Sequence, residues 1–478
     1  MTTHVPNDTA GENKARIIFL SVIAALGGFL FGYDSGVING TVDALQQAFD
    51  SDAVGTGFNV ASMLLGCAVG AFFAGNLADK YGRKPILLTT ACVFIISAYG
   101  SGIAGSSFEF VIYRILGGLA VGSASVIAPA YIGEISPARY RGALISLQQL
   151  AIIVGITASF LSNYQIAKLA GGSTETLWLG FGAWSWMFWA EIIPASFFLF
   201  ALFFIPESPR YLVAAGKYAK AEGVLSRLSS TIDVKKKVDE IKQTVFSEKK
   251  SKLSDIISSK TGKLHPIVIA GIGIAMLQQF TGINVVLYYG AVLWQSAGFT
   301  EADALFTNVV SGLVMVFGSF VAIVLVDRVG RRPLLMIGGL GQAFMLACMA
   351  IIFGFAAQGD AGTLEMNPTE GTLALFAAQG FVLFFSFTWG PIMWVMLGEM
   401  FPNRFRGAAL AVCGMAQWGS NFLITMTFPL LLTSIGLGLS YGIYSFFGIV
   451  AYLFVRKVIV ETKGRTLEEM SLELEEQA

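Results

Sequence analysis

The sequence predicts an all-α membrane protein with twelve transmembrane helices, divided into two halves of six. Three observations predict this fold class: an apolar composition, twelve long apolar runs, and two motifs that recur in the second half of the chain. Of the 478 residues, 55% are hydrophobic and 13% are charged, and the mean hydropathy is +0.68. Soluble domains carry about 25% charged residues. The chain is therefore expected to lie in a bilayer.

The apolar runs set the predicted spans. A helix needs about 20 mostly apolar residues to cross a hydrocarbon core about 30 Å thick. The runs that meet this requirement are 16–38, 58–78, 85–105, 108–131, 143–166, 184–205, 266–290, 303–326, 333–356, 373–399, 407–432 and 437–458.

The long connection between the sixth and seventh runs divides the chain. The predicted organisation is an N-terminal segment at 1–15, a first half at 16–206, a linker at 207–265, a second half at 266–458 and a tail at 459–478. The linker is rich in Lys and partly amphipathic, which predicts short helices lying across one membrane face. A flexible, solvated linker is the alternative.

The positive charges are distributed unevenly about the predicted spans. Of the 31 Lys and Arg residues, 29 fall in the termini or in loops on one side, while Lys168 is in a loop on the other side and Arg114 is inside a span. The positive-inside rule then places both termini in the cytoplasm, and an even number of spans agrees with this. The first 14 residues lack the pattern of a cleaved signal peptide, so the first span is expected to be retained.

Two motifs occur once in each half. Asp79–Lys84 (DKYGRK) recurs as Asp327–Arg332 (DRVGRR), and Glu134–Gly142 (EISPARYRG) recurs as Glu399–Gly407 (EMFPNRFRG). Six spans plus six spans, related by an axis along the membrane normal, are typical of alternating-access carriers. In such carriers one half rocks against the other around a site at the midplane.

The charged residues of these motifs are candidates for gates on the cytoplasmic side. Arg83 is expected within reach of Glu134, and Arg331 within reach of Glu399, so that helix ends are tied together while that side is closed. A network of such pairs can bias a two-state balance by a few kcal/mol. The alternative is that the charges only follow the positive-inside rule, which does not require a spaced Glu in both halves. The candidate gating residues are Asp79, Arg83, Glu134, Arg141, Asp327, Arg331, Glu399 and Arg406.

Three charged residues lie well inside predicted spans, away from the ends of the spans. Asp34 is in the first span and Arg114 in the fourth, at depths of about 6 Å and 9 Å from the same side at 1.5 Å per residue. A charge at this depth is costly unless it is paired or faces a cavity, so the two are expected to pair. Arg cannot lose its proton, which leaves Asp34 as the proton carrier. A permanent structural salt bridge is the alternative. Glu191 in the sixth span either assists proton transfer or pairs with Arg114.

No catalytic or cofactor-binding motif is visible. His4 and His265 stand alone in cytoplasmic segments, and the sequence has no nucleophile arrangement, metal cluster or phosphate loop. We expect no enzyme activity, no cofactor, no metal and no nucleic-acid partner.

Taken with Pro206–Arg210 (PESPR) and Glu461–Arg465 (ETKGR), these residues resemble the sugar porter family of the major facilitator superfamily. The resemblance covers nearly the whole chain. It implies the major facilitator fold, with a cytoplasmic helical linker between the halves. Val460 stands where the family usually has Pro, a difference expected to affect only the tail.

The resemblance also implies a set of sugar-binding residues. Amides can donate to and accept from sugar hydroxyls, and aromatic faces can cover the apolar face of a pyranose. The positions that match are Gln149, Gln278, Gln279, Asn284, Tyr288, Tyr289, Trp394, Gln417, Trp418 and Asn421. Met315 stands where sugar porters commonly have Asn in the eighth span. Asn308, two turns away on a similar helical face, could replace that Asn only for a ligand bound nearer the outer side.

Proton-coupled sugar porters carry Asp at the position of Asp34, so the resemblance implies proton symport of a monosaccharide, with a hexose such as glucose or fructose first. The alternatives are a passive facilitator, a polyol, inositol or pentose transporter, a drug:proton antiporter of the same superfamily and a membrane sugar sensor. We expect a monomer in the plasma membrane, which is the inner membrane if the source is bacterial.

Overall fold

The structure is a computed structural model that describes residues 13–137, 139–229, 233–247, 253–257, 262–358, 364–402 and 404–463. Most of the predicted N-terminal segment 1–15 and of the predicted tail 459–478 lies outside these residues. Gly464 and Arg465 of the ETKGR motif are also outside them.

Long apolar helices account for most of the described chain. Eleven of them are long and apolar enough to cross a membrane. Numbered in chain order, the first ten are span 1 (Lys14–Gly40), span 2 (Ala53–Tyr81), span 3 (Arg83–Ile103), span 4 (Ser107–Ile135), span 5 (Arg141–Ala170), span 6 (Ala183–Leu202), span 7 (Pro266–Ser296), span 8 (Glu301–Val329), span 9 (Arg331–Phe355) and span 10 (Pro368–Met400).

The eleventh helix, Arg406–Val458, is two spans joined end to end. It has 53 residues, which at 1.5 Å per residue is about 80 Å, far more than one crossing needs. Gly436, with φ 74 and ψ 177, interrupts it. Residues 406–435 are therefore span 11 and residues 437–458 are span 12. The total of twelve agrees with the predicted fold class.

Several spans are interrupted near their middle. Span 7 consists of Pro266–Phe280 and Ile283–Ser296, separated by Gly282 at φ 81. Span 10 consists of Pro368–Phe387 and Trp389–Met400, which are separated by Thr388. Discontinuous helices of this kind line the substrate site in many membrane transporters, because their unpaired backbone groups face a cavity.

Shorter elements complete the described chain. They are a helix at Val42–Ala48, the linker helices Pro209–Ala214, Tyr218–Leu228 and Val234–Ser247, a 3₁₀ turn at Leu253–Ile256, and a two-stranded antiparallel sheet of Ala357–Gln358 with Leu364–Glu365. The linker helices share a small core of Leu212, Val213, Ala221 and Val238. The described part of the linker therefore contains short helices, as its amphipathic pattern predicted.

Twelve spans bring the start of span 1 and the end of span 12 to the same side, which we call the terminal face. The linker lies there too, because the backbone N–H of Asn13 donates to the carbonyl of Leu228 at 3.0 Å. The other side is called the opposite face. Large apolar side chains such as Phe197, Phe200 and Phe317 are exposed on the sides of the spans, where lipid would cover them.

Glycine allows close helix contact within the first half. A Cβ on Gly118 of span 4 would lie 2.0 Å from the carbonyl oxygen of Met63, and one on Gly66 of span 2 would lie 2.1 Å from that of Ile115. Small residues at such crossings let backbones approach where lipid provides no hydrophobic driving force. This contact fixes span 2 against span 4, which carries Arg114.

Candidate functional site

A buried ion pair lies in the middle of the first half. Asp34 of span 1 and Arg114 of span 4 are both almost fully buried. The Arg114 Nη1 donates to Oδ1 of Asp34, and its Nη2 donates to the backbone oxygen of Asp34 at 3.2 Å and contacts the sulfur of Met63 at 3.0 Å. The ring of Phe188 lies 5.6 Å from the guanidinium carbon. The expected contact between the two charges is therefore present, whereas its role in proton coupling stays a prediction.

The pair does not use all of its polar atoms. Among the described residues, Oδ2 of Asp34, Nε of Arg114 and both carboxylate oxygens of Glu191 have no hydrogen-bond partner. Glu191 is buried at the junction between the two helices of span 6. Of the two roles left open for Glu191, pairing with Arg114 is not seen among these residues. An unpartnered carboxylate away from water is costly as an anion, and assistance in proton transfer is the role of Glu191 that stays a prediction.

Amide side chains form a connected cluster in the second half, where spans 7 and 10 are interrupted. Gln278 Nε2 donates to the carbonyl of Trp389 at 2.9 Å. The Oε1 of Gln278 accepts from Gln279 at 3.0 Å and from Gln417 at 3.4 Å. Asn284 donates to Oε1 of Gln279. The amide side chains of this cluster both donate and accept hydrogen bonds. They can therefore bond to the hydroxyls of a ligand in place of one another.

Other predicted binding residues surround this amide cluster. Trp418 packs against Phe31 of the first half, with ring centroids 6.0 Å apart. Asn421 accepts from the hydroxyl of Thr425 at 3.1 Å, and the Tyr289 hydroxyl donates to the Thr425 carbonyl at 2.9 Å. An aromatic contact between the halves therefore lies beside the polar cluster.

The remaining candidates are less closely connected. Tyr288 is buried, Gln149 is half-buried on span 5, and Trp394 is 41% exposed. Sequence reasoning missed Gln148, which is buried and whose amide atoms have no partner among the described residues. It lies against Gly28, where a Cβ would approach its amide to 2.7 Å. Its position beside Gln149 was the only available signal.

A cluster of hydrogen bonds around Asn39 joins the two halves near the opposite face. The Asn39 Nδ2 at the end of span 1 donates to the carbonyl of Leu287 at 2.7 Å. Its Oδ1 accepts from the backbone N–H of Ala291 at 3.2 Å and from the amide of Asn308 at 2.7 Å. Span 7 departs from helical geometry between these contacts, at Tyr289. Asn39 therefore bonds backbone groups on both sides of the bend.

Two further hydrogen bonds cross between the halves on this face. Gln295 Nε2 donates to Oδ2 of Asp43 at 2.6 Å, and the backbone N–H of Ser173 donates to Oε1 of Glu301 at 2.8 Å. Among the described residues, the five hydrogen bonds that join the halves all lie near the opposite face. The structure thus has its opposite face closed.

The two span 8 residues singled out from the sequence have separate environments. Met315 is buried. The amide of Asn308 is bonded to Asn39 in this arrangement rather than to the amide cluster of span 7. Gly290 makes the approach possible, because a Cβ there would lie 2.3 Å from Oδ1 of Asn308 and 2.8 Å from Nδ2 of Asn39.

On the terminal face, an Arg of the first half ties three helix ends together. Arg83 Nε and Nη2 donate to the two carboxylate oxygens of Glu134 at 3.0 and 2.8 Å. The guanidinium also lies 3.2 Å from Asp79 and donates to the carbonyl of Ala78. Such two-point contacts are directional and stronger than a single neutral hydrogen bond.

The second half repeats this network. Arg331 donates to the two carboxylate oxygens of Glu399 at 3.0 and 2.7 Å and lies 3.2 Å from Asp327. Glu399 also accepts from the hydroxyl of Thr462 at 2.6 Å. Each of these four ion pairs connects helices of a single half. Of the other two candidates, Arg406 donates to the carbonyl of Phe401, and Arg141 begins span 5 with an exposed side chain.

Each network is completed by a carboxylate from the segment that follows the last span of its half. Glu207 accepts from the backbone N–H of Arg83 at 2.9 Å and of Lys84 at 3.3 Å. Glu461 accepts from the first two backbone N–H groups of span 9, at 3.0 and 2.9 Å. A carboxylate at these helix starts satisfies unpaired donors and complements the positive end of the helix dipole.

The chain is similar to known transporters along nearly its whole length. The family model described as "Sugar (and other) transporter" matches residues 20–474. The "Glucose transport protein" of Synechocystis sp. is 47% identical over 469 residues, covering 97% of this chain and 100% of that protein. The "D-xylose-proton symporter" of Escherichia coli is 37% identical over 490 residues, covering 96% of both chains.

Solved structures agree in fold. The inward-open conformation of the xylose transporter XylE from E. coli has a TM-score of 0.81 at 35% identity, covering 96% of this chain and 99% of that one. The proton:xylose symporter XylE bound to 6-bromo-6-deoxy-D-glucose has a TM-score of 0.75 at 36% identity, covering 97% of this chain and 100% of that one.

Twelve spans in two halves, a buried polar centre between them and a matched charge network in each half define a membrane transporter of the major facilitator fold and not an enzyme. The chain belongs to the sugar transporter family, the sugar porters of that superfamily.

Proposed function

We propose that the protein is a proton-coupled symporter of a monosaccharide, with glucose as its first substrate, and that it works by alternating access. The observation that carries the proposal is the buried contact between Asp34 and Arg114, in which one carboxylate oxygen of Asp34 has no partner within the described part of the chain. The names of the relatives support it, since they include a glucose transport protein and a xylose–proton symporter.

The proton step follows from the chemistry of the pair. Arg114 keeps its charge at any physiological pH, so Asp34 is the member that gains and loses the proton. A protonated Asp34 is held less strongly by Arg114, which frees span 1 to move against span 4. Glu191, buried nearby without a hydrogen-bond partner among the described residues, is a second carboxyl for the proton path. One proton moving through 100 mV supplies about 2.3 kcal/mol, enough for about fifty-fold accumulation of sugar.

The sugar step uses the amide cluster. Gln278, Gln279, Asn284 and Gln417 present donors and acceptors where spans 7 and 10 are interrupted. Aromatic side chains, among them Trp418, lie at the edge of this cluster. Sugar hydroxyls would replace amide-to-amide bonds of similar strength, so binding would depend on matching geometry.

Orientation and assembly complete the proposal. The terminal face carries the Lys-rich linker, and the positive-inside rule assigns it to the cytoplasm. The described arrangement then has its external side closed. The protein works as a monomer in the plasma membrane, which in a bacterium is the inner membrane, and the terminal-face networks act as gates that rearrange between states.

The decisive test is the Asp34→Asn variant in cells or proteoliposomes, with Asp239→Asn as a control on the exposed linker. We expect Asp34→Asn to abolish glucose accumulation against a gradient while equilibrative counterflow continues, and Asp239→Asn to behave as the parent. Accumulation by Asp34→Asn would refute the proton role.

A passive facilitator is the main rival. Addition of sugar to a weakly buffered cell suspension should alkalinise the medium if a proton enters with each sugar. Transport without alkalinisation would favour the facilitator, in which Asp34 and Arg114 are structural. Competition by glucose, fructose, galactose, xylose and inositol against labelled glucose would then rank the substrates of either carrier.

A further inference from the structure

The loop between spans 5 and 6 forms a hairpin with an exposed apolar tip. Residues 173–184 pair through a bridge between Thr176 and Gly182. A tight turn closes the hairpin, in which the backbone N–H of Phe181 donates to the carbonyl of Trp178 at 3.1 Å. This loop lies on the opposite face, far from the terminal-face networks.

The turn holds a leucine in an unusual conformation. Leu179 has φ 57 and Gly180 has φ 79. Positive φ at both central positions is the pattern of a type I′ hairpin turn, for which Asn-Gly is a preferred sequence. Leucine there is strained, and its side chain is 83% exposed, beside Trp178 at 53%. A strained backbone that exposes an apolar side chain indicates a functional reason for the exposure. An apolar medium that covers the side chain would provide that reason.

Aromatic rings join the hairpin to the sides of two spans. Trp178 packs on Trp186 at 5.2 Å, Trp186 on Trp189 at 5.0 Å, and Phe181 on Trp189 at 4.9 Å. The indole N–H of Trp189 donates to the backbone carbonyl of Tyr99 at 3.0 Å. The hairpin is therefore folded back along spans 3 and 6 and does not project above them.

The depth of this aromatic cluster matches a membrane interface. Trp189 lies six residues into span 6 and Tyr99 four residues before the end of span 3, about 9 Å and 6 Å at 1.5 Å per residue. One turn deeper, Ile193 and Ile96 are 75% and 53% exposed, as lipid-facing residues are. Trp and Tyr are enriched at the headgroup level, where one end of the ring is apolar and the other is hydrated.

We propose that residues 173–184 are an interfacial anchor, which inserts Trp178 and Leu179 into the headgroup region of the leaflet on the opposite face. The bilayer is the occupant because the apolar tip is continuous with the lipid-facing sides of spans 3 and 6. The base of the same hairpin holds the second half, through the Ser173 N–H on Glu301. The anchor thus fixes the first half in the leaflet while this bond to the second half can open.

The test places a spin label at position 179. Cys92 and Cys348, which are not buried, are replaced by Ser, and Leu179→Cys or Gln47→Cys is then introduced. Gln47 is an exposed control on the short helix Val42–Ala48 of the same face. Collisions with oxygen, which concentrates in lipid, and with a water-soluble nickel complex are measured in liposomes. We expect the oxygen-to-nickel ratio to be at least fivefold higher at 179 than at 47.

Equal ratios at the two positions would overturn the proposal, because the tip would then lie in water. Spin–spin broadening at 179 that disappears on dilution with unlabelled protein would also overturn it, in favour of a second copy covering the tip. If the Leu179→Cys protein fails to fold, the same label at Trp178→Cys gives the same comparison, since both side chains belong to the tip.

Discussion

Asn308 donates a hydrogen bond to Oδ1 of Asn39 across the seam between the halves, at 2.7 Å. The same oxygen accepts from the backbone of span 7. One side chain at the end of span 1 therefore connects with both of the neighbouring spans of the second half. This contact is one of the five hydrogen bonds among the described residues that join the halves at the closed opposite face.

Removing the Asn308 amide should favour opening of the opposite face. A net hydrogen bond contributes about 1 kcal/mol, so Asn308→Ala should shift the balance toward the open state by about fivefold. Asn39→Ala should have a larger effect, because it also leaves two backbone groups of span 7 unpaired. The measurement is the labelling rate of a Val42→Cys protein by a membrane-impermeant reagent, since Val42 is buried when this face is closed.

Asn163→Ala is the matched control for this experiment. Asn163 Nδ2 donates to the carbonyl of Val37 at 2.9 Å, which is a contact within the first half. Its loss should leave the labelling rate at Val42→Cys unchanged. Equal labelling in Asn163→Ala and Asn308→Ala would contradict a specific role for the seam contact.

Gly290→Ala should slow transport at least fivefold. The added Cβ would lie 2.3 Å from Oδ1 of Asn308 and 2.8 Å from Nδ2 of Asn39, closer than real Cβ contacts, so these two side chains must shift from their positions in the closed arrangement. Gly414→Ala, with nothing within 4 Å of its added Cβ, serves as the control and should transport normally. Combining Gly290→Ala with Asn308→Ser should restore part of the rate because the shorter side chain removes the clash. Absence of any rescue would point to a different cause.

The two terminal-face networks should differ in their sensitivity to charge removal. Glu134 is 12% exposed beside Arg83 at 11%, whereas Glu399 is 34% exposed beside Arg331 at 12%. Glu134→Gln should therefore lower the free energy of unfolding by about 1–3 kcal/mol, and Glu399→Gln by less. Thermal melting of the two purified variants in detergent measures the loss of stability in each. Glu240→Gln, on the exposed linker, is the control. A larger loss for Glu399→Gln would reverse this ranking.

Closure of the opposite face should strengthen in acid through Asp43. Burial raises the pKa of the Asp43 carboxyl above its ordinary value, the hydrogen bond from Gln295 lowers it, and the nearby Glu301 raises it. If opening exposes the carboxyl, its pKa returns toward the ordinary value, so the closed arrangement binds the proton more tightly. Stabilisation is then present at low pH and is lost as pH rises through the raised pKa.

Labelling of Val42→Cys as a function of pH checks this, in an Asp34→Asn background that removes the main proposed proton carrier. Labelling should increase with pH, and Asp43→Asn should flatten the dependence. A slope unchanged by Asp43→Asn would assign the effect to another group.

The spans and the charge pairs could be predicted because they depend on length and repetition. Asp34 and Arg114 fall at similar depths in antiparallel spans, so counting residues brings them to the same level. The pairs of Arg83 and Arg331 follow from motifs that occur twice. In each case the residues sit within or at the ends of long helices with a known rise, and hydropathy is enough to place them.

The seam between the halves could not be predicted in the same way. Asn308 was considered only as a replacement for a sugar contact, yet its amide is bonded to Asn39 in the closed arrangement. That contact depends on the bend at Tyr289, which a hydropathy profile does not reveal. The backbone contacts of Glu207 and Glu461 were missed for a similar reason, since they depend on how the chain turns after each half.

Glu207 and Glu461 follow the sixth and twelfth spans, and each closes the charge network of its own half. The repeated structural unit therefore extends past its last helix, as far as the carboxylate that caps the start of its third span. A six-helix segment cut at the end of its last span would lack this carboxylate, and in the second half it would also lack the Thr462 hydroxyl that bonds Glu399.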